Sequence, residues 1–406
     1  MTLRTHKIAL DINNKQRTHL VKCAGASRFA YNWALNEWKL MYEAHKKDTS
    51  LPGPNQFILR KKLNSIKREQ FPWMLEVTKC APQEAIIDLG KAFASFFAGR
   101  GRYPVFKKKG AHDSFRISSG FFRVSGRTIR LPVIGEIRML EELRYSDAKV
   151  ISLTVSRRAD RWYASLVCET GEPQISGKAD APGERGVVLG VDAGVYAYTG
   201  SDGEPYETHR TYRAAERKLR RAQQSLSRKQ NGSRNYGKQR VKVAKIHARV
   251  SDIRADFIHN MTTGIIRKAD TIAIEDLNVK GMLRNRHLSK SIADASFGEF
   301  RRQLVYKTED SGKTLIIADR YYPSSKLCSC CGAKAKCLTL DIREWVCDNC
   351  GTRHDRDLNA AINLKKYAES LPVSACGELF ASALGPQRVP GASSLLEAGT
   401  KQQIAS

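Results

Sequence analysis

Acidic residues are scarce in this chain. Its 406 residues hold 41 Asp and Glu against 69 Lys and Arg, a formal net charge of +28. The basic residues cluster, which argues against a merely basic surface and for a polyanionic partner, since each neutralised phosphate releases condensed counterion. Long hydrophobic runs are also missing. No stretch approaches the roughly 18 apolar residues of a membrane span, and no charged-then-apolar leader opens the chain. The expectation is therefore no membrane partner and a cytoplasmic location. Disulfide spacing is absent too: six of the ten cysteines crowd between Cys328 and Cys350, and Cys23, Cys80, Cys168 and Cys376 stand alone. Without a secretion signal, such a cluster reads as metal thiolates rather than cystines.

What is present is organised around the stretch from Ser325 to Leu364. Two C-x-x-C pairs, Cys328/Cys331 and Cys347/Cys350, are separated by fifteen residues. This is the spacing of a four-thiolate zinc ribbon, and it predicts one structural Zn²⁺. Cys330 is an alternative to Cys331 as ligand, and Cys337 lies between the pairs. Seven residues past Cys350, Asp357 stands where D-R-D-L-N-A-A-I-N-L turns from loop to helix.

Two further acids share that kind of setting. Asp192 ends the apolar run Gly186–Val191 and precedes Ala193-Gly194; Glu275 ends Thr271–Ile274 and precedes Asp276-Leu277. Both lie at the tips of buried strands. Asp192, Glu275 and Asp357 are 83 and 82 residues apart, so only folding can join them. Clustered carboxylates repel, and a pair of Mg²⁺ ions is the natural offset. Asp355 and Asp276 are the second choices beside Asp357 and Glu275.

The blocks GVDAGV, IAIEDLNVKGM, SSKLCSCCG and DRDLNAAINL resemble the OrfB/TnpB family, the insertion-sequence relatives of type V CRISPR effectors. GASRFAYNWAL resembles that family's N-terminal signature, and the likeness spans roughly residues 1–370. The resemblance implies a RuvC nuclease site at Asp192, Glu275 and Asp357 on an RNase H-type sheet, interrupted by the zinc ribbon. It further implies an RNA-guided, Mg²⁺-dependent DNA endonuclease of a transposable element. Its partners would be an omega-type noncoding guide RNA and double-stranded DNA cut next to a short transposon-adjacent motif, with the protein a monomer on its RNA and nucleoid-associated on DNA. A guide-directed repressor without cleavage and an accessory transposition protein are the alternatives; the first would lack an acid, and none is missing.

Taken in order, alternation in residues 1–12 predicts a strand, and Leu20, Cys23, Phe29, Trp33 and Trp38 then recur at helical intervals. A basic helix near Phe57–Arg68 and another over Pro82–Phe97, burying Ala85, Leu89, Phe93 and Phe96, follow. The latter places Lys79 and Gln83 at its start, where Gln can read adenine bidentately. Arg100, Arg102, Tyr103, Lys107 and Lys108 interleave cations with aromatics, suiting phosphate contact with base stacking. From Ser114 to Glu169 short alternating runs separated by Gly120, Gly126 and Gly135 predict a small antiparallel barrel. Beyond a polar stretch come two basic helices, Arg210–Lys229 and Lys238–Lys268. The second carries an apolar stripe (Val243, Ile246, Val250, Ile253, Phe257, Met261) and a cationic surface including Lys238, Lys242, Lys245 and Arg249. Lys280–Lys290 reads as a mobile cationic loop.

The expected fold is thus multidomain α+β and α/β. An N-terminal wedge β-barrel (1–15 and 111–170) holds an inserted helical recognition domain (16–110). A linker (171–185) leads to the RuvC-like domain (186–322 and 354–370), with the zinc ribbon at 323–353 as a target nucleic-acid-binding insert and a disordered tail at 371–406.

Overall fold

The structure, a computed structural model, describes residues 2–145, 148–171, 186–195, 197–207, 211–339 and 341–371. The expected linker and tail lie almost wholly outside the described residues. The chain divides into two compact units, Met1–Glu172 and Pro173–Ser406.

The first unit opens with β1 (Thr2–Asp11) and α1 (Asn14–Lys47), whose start is fixed by a reciprocal capping box between Asn13 and Gln16. After α2 (Gln56–Gln70), a 3-10 turn (Pro72–Glu76) and α3 (Cys80–Phe97) come β2 (Ser114–Ser118), β3 (Arg123–Ser125), β4 (Thr128–Leu131), β5 (Gly135–Met139), β6 (Lys149–Arg158) and β7 (Arg161–Thr170). The strands form one antiparallel sheet in the order β2-β6-β7-β1-β5-β4-β3, so the helices are inserted between its first strand and the rest. Its edges are β2 and β3; among the described residues no pairing between them closes the expected barrel. Alternating burial along β7 puts Trp162, Ala164, Leu166 and Cys168 into a core with Ile8, Ile117, Ile137 and Val155. The helices have their own core, in which Trp38 stacks on Phe93 at 4.3 Å. Phe96 departs from expectation: it is only half-buried, against Phe97 and Tyr103.

The second unit begins with β8 (Val188–Ala193), β9 (Ala197–Gly200) and β10 (Pro205–Glu207), then the helical hairpin α4 (Thr211–Ser227) and α5 (Arg234–Lys268). Next are β11 (Thr271–Glu275), α6 (Val279–Met282), α7 (Ser289–Ala295), α8 (Phe297–Ser311) and β12 (Thr314–Ala318). The short pair β13 (Glu344–Val346) and β14 (Arg353–Asp355) leads into α9 (Arg356–Ser370). The sheet order is β10-β9-β8-β11-β12, with β8, β11 and β12 parallel and β9 and β10 antiparallel. Strand alternation separates its faces. Leu189, Val191, Ile272 and Ile274 pack with Ile258, Met261, Ile265, Phe297 and Phe300 of α5 and α8, while Ala273 and Ile316 pack with Leu364 and Ala368 of α9.

Three expectations need correction here. The long helix α5 starts four residues early, because Ser233 caps it by accepting from Tyr236 N at 3.1 Å. Its buried stripe runs through Val250, Ile258, Met261 and Ile265, not Ile253, which is exposed; over 35 residues the apolar face drifts around the helix. In that turn Arg254 points inward to pair with the buried Asp294 of α7. The cationic stretch Lys280–Lys290 is folded as α6, a turn and the first residues of α7, with Lys290 Nζ 2.5 Å from Glu216.

Candidate metal centres and nucleic-acid surfaces

Gly190 decides how the acids meet. A Cβ there would lie 2.0 Å from the Ala361 carbonyl oxygen and 2.6 Å from Lys365 N, so only glycine lets α9 rest directly on β8. Asp192 is two residues further along the strand, a rise of about 6.6 Å, and Asp357 is one helical turn, about 5.4 Å, before Ala361. Asp192 is buried. Burial, then the nearby Glu275 and Asp357 carboxylates, push its pKa well above the usual carboxylate range, with Arg356 and Arg343 pulling the other way. Asp192 and Glu275 therefore follow the paired Val191 and Ile274 at the ends of parallel β8 and β11, with Asp357 at the start of α9 close enough to oppose the charge on Asp192, although among the described residues only the four cysteines gather their ligand atoms within 4.8 Å.

Their neighbours differ. Glu275 is half-buried and accepts a hydrogen bond from the Ser324 hydroxyl. Asp357 faces Arg343 Nη1 at 3.1 and 3.3 Å. Asp355 is the N-cap of α9, accepting from Asp357 N at 3.0 Å and Leu358 N at 2.8 Å. Asp276 is committed elsewhere: burial opposes its ionisation, yet bonds from Arg301 and Arg320 outweigh that and hold its pKa below the usual range. Ser324 and Arg343 were not read from the sequence. Ser324 lies inside the SSKLCSCCG block, whereas nothing in the spacing around Arg343 marks it.

The sulfurs of Cys328, Cys331, Cys347 and Cys350 lie within 4.8 Å of one another. Cys328 and Cys350 are 3.6 Å apart, and Cys331 and Cys347 3.7 Å. A zinc–thiolate tetrahedron with bonds of about 2.3 Å has edges of about 3.8 Å, so the set fits Zn²⁺. Cys330 and Cys337 are exposed and outside the cluster. The Thr352 hydroxyl holds the Cys350 thiol down at about 6, and Asn349 lowers that of Cys331, while burial pushes Cys328 up to about 12. His354 Nε2 is 3.0 Å from Cys328 Sγ, with its ring 4.8 Å from that of Trp345, a thiolate partner the sequence reading missed.

The cationic candidates are all exposed. Lys79 and the half-buried Gln83 flank a cavity of about 190 Å³ between α2 and α3, together with Arg60, Asn64 and Lys67. Arg100, Arg102 and Lys108 are exposed. Tyr103 meets Phe93 and Phe96 edge-on at 5.6 and 5.3 Å, so it is anchored while 45% exposed. Lys107 lies over the Tyr31 ring at 3.9 Å, and Asn32 bonds its backbone at both ends, fastening this loop to α1. Lys238, Lys242 and Lys245 are exposed along α5. No helix among the described residues is long and apolar enough to cross a membrane.

A protein of Streptomyces pristinaespiralis, provisionally named RNA-guided DNA endonuclease, is 36% identical over 95% of this chain and 92% of its own length. The chain belongs to the OrfB/TnpB family. Another relative in the same family is InsQ of Escherichia coli K12, provisionally named RNA-guided DNA endonuclease, at 30% identity over 94% of this chain and 95% of its own. Three family descriptions match: "Helix-turn-helix domain" of OrfB at residues 1–47, "Probable transposase" at 165–286, and "Cas12f1-like, TNB domain" at 297–364. The first of these spans is here a strand followed by a single 34-residue helix. A cryo-EM structure of a Cas12f1–sgRNA–target DNA complex is similar with a TM-score of 0.50, 13% identity, and coverage of 90% of this chain and 98% of that one. The chain has a Cas12f-like α+β fold.

Proposed function

We propose that this protein is an RNA-guided, Mg²⁺-dependent DNA endonuclease of a transposable element. The observation that carries the reading is the placement of Asp192 and Glu275 at the ends of neighbouring parallel strands and of Asp357 in the first turn of the helix packed on them, where Glu275 and Asp357 oppose ionisation of the buried Asp192. A sheet of order 3-2-1-4-5, antiparallel in its second and third strands, with acids on the first and fourth strands and on a helix packed against it, supports an RNase H-type, RuvC nuclease. The donor set, three carboxylates and no thiolate or imidazole, suits hard cations. Two Mg²⁺ ions held there would activate water and stabilise the leaving oxygen of a phosphodiester. Asp357 sits in the first turn of α9, and Glu275 accepts a hydrogen bond from Ser324.

The four-cysteine site takes one structural Zn²⁺, since four thiolates leave no open position for chemistry. The first unit would serve as wedge and recognition domains, and its cations with those of α5 would hold guide RNA and target. The names of the relatives and the Cas12f1 complex support that pairing of partners.

The test is separability of binding from chemistry. Asp192→Ala, Glu275→Ala and Asp357→Ala each should abolish cleavage of double-stranded DNA while guide and target binding persist. Double variants should lose no more than single ones, because ligands of one centre act as a unit. Cleavage at the parental level by all three variants overturns the reading.

A further inference from the structure

The acidic site and the four-cysteine site are joined by a buried run of hydrogen bonds. Ser324, 3% exposed, donates its hydroxyl to Glu275. Asn363 on α9, 4% exposed, donates through Nδ2 to the carbonyls of Ser324 and Leu327, each at 2.7 Å. One turn earlier Asn359, 1% exposed, donates to the same Leu327 carbonyl at 2.7 Å, and its Oδ1 accepts from Ser329 N at 2.8 Å. Leu327 and Ser329 flank Cys328, so the run ends on the backbone of the first cysteine knuckle.

Two buried asparagines on a helix are not needed to seat it on a sheet. Leu364 and Ala361 already bury that face completely, and a buried amide without partners costs free energy. What the amides add is direction: each fixes a backbone carbonyl of the segment entering the knuckle relative to α9, the helix that carries Asp357. Ser324, held by Asn363, then fixes one oxygen of Glu275. The positions of two acids thus depend on whether residues 324–329 keep their shape, and Cys328 is one of the four residues that close the ribbon.

We propose that Ser324 is a positioning residue for Glu275, and that Asn359 and Asn363 couple it to the four-cysteine site, so that losing zinc weakens divalent-cation binding at the acids. This rests on the reading of the three acids as a cation site. Partners of this kind typically change metal affinity by about 10–100-fold when removed.

The experiment is titration of the full-length protein with Mn²⁺, followed by electron paramagnetic resonance, alongside thermal unfolding. The set comprises the parent, Asp192→Ala, Ser324→Ala, Asn359→Ala, Cys347→Ser/Cys350→Ser, and that pair combined with Ser324→Ala. Ser324→Ala should weaken Mn²⁺ binding about tenfold or more. The cysteine pair should weaken it as well, although neither sulfur touches an acid, and the combination should bind no worse than Ser324→Ala alone. Asn359→Ala, which removes the bonds to Leu327 and Ser329 on either side of Cys328, gives a second variant and should weaken Mn²⁺ several-fold. Parent-like affinity in Ser324→Ala or Asn359→Ala, or multiplied losses in the combination, would overturn the coupling. Mn²⁺ binding that Asp192→Ala removes but Ser324→Ala leaves intact sinks this inference alone. If the parent binds no more Mn²⁺ than Asp192→Ala, the cation site itself falls with it.

Discussion

Gly190→Ala tests the close approach that assembles the acids. The added methyl would sit 2.0 Å from the Ala361 carbonyl oxygen, where a carbon and a carbonyl oxygen need about 3.3 Å, so strand and helix must part by roughly 1.3 Å. Neither side gives easily. β8 is held by Ser201 N donating to Gly190 O at 2.8 Å and by parallel pairing of Gly190 with Ala273. α9 is held by fully buried Ala361 and Leu364 and by the Asn359 and Asn363 bonds. Overpacking of this kind costs about 1–3 kcal/mol, or roughly 2–4 °C of melting temperature per kcal/mol. The larger effect should be on chemistry: a displacement of about 1 Å at a reacting centre can cost about 100-fold in rate. Thermal unfolding and single-turnover cleavage measure the two losses separately. Parental melting together with parental cleavage would refute the argument that Gly190 sets the distance between Asp192 and Asp357.

Further outcomes follow from other parts of the molecule. Metal analysis of the native protein should find one zinc per chain, and Cys347→Ser/Cys350→Ser should release it and loosen residues 322–354 more than the sheet, since thiolate ligation stabilises its own surroundings; a native protein without zinc would contradict this. Replacing Lys238, Lys242 and Lys245 with Ala should weaken nucleic-acid binding and reduce the slope of log K against log salt by about 0.9 for each duplex phosphate no longer neutralised; an unchanged slope would mean the face is only solvated. Asp355→Ala should cost about 1 kcal/mol through removal of the N-cap and slow cleavage only partly; a dead Asp355 variant beside an active Asp357 variant would exchange their roles. Asp192 has a raised pKa in the folded protein, so the folded state binds its proton more tightly than the unfolded chain does. In buffer without divalent cations stability should therefore fall as pH rises from about 4 through that pKa. Melting curves of Asp192→Asn should show a shallower fall; identical pH profiles would remove the raised pKa of Asp192, from burial and then from its neighbouring carboxylates, from the account.

The strand-end placement of Asp192 and Glu275 was legible because each ends a run of buried β-branched and aliphatic residues, whereas their grouping with Asp357 came from the family resemblance. The cysteine pairs were legible from spacing alone. What spacing cannot carry is contact between distant segments. Ser324 reaches Glu275 across 49 positions and Arg343 reaches Asp357 through a ribbon loop, so neither announces itself locally. Gly190 read only as part of an apolar run, since its meaning lies in the backbone of α9 on its far side. The Ile253 error has the opposite cause: a stripe read at a fixed period ignores the drift of 3.6 residues per turn along a 35-residue helix. The sheet of the first unit was legible strand by strand, but whether β2 and β3 close on each other is a matter of curvature that alternation does not encode.

The central claim is that RNA chooses the cut and the three acids make it. The direct measurement is to purify the protein, sequence the RNA that accompanies it, and supply that RNA with its guide segment rewritten to match a new DNA duplex. Cleavage should move to the new sequence, require Mg²⁺, and vanish in Asp192→Ala. Cleavage that ignores the guide, or a complex that binds the new target in Mg²⁺ without ever cutting it, would contradict the account.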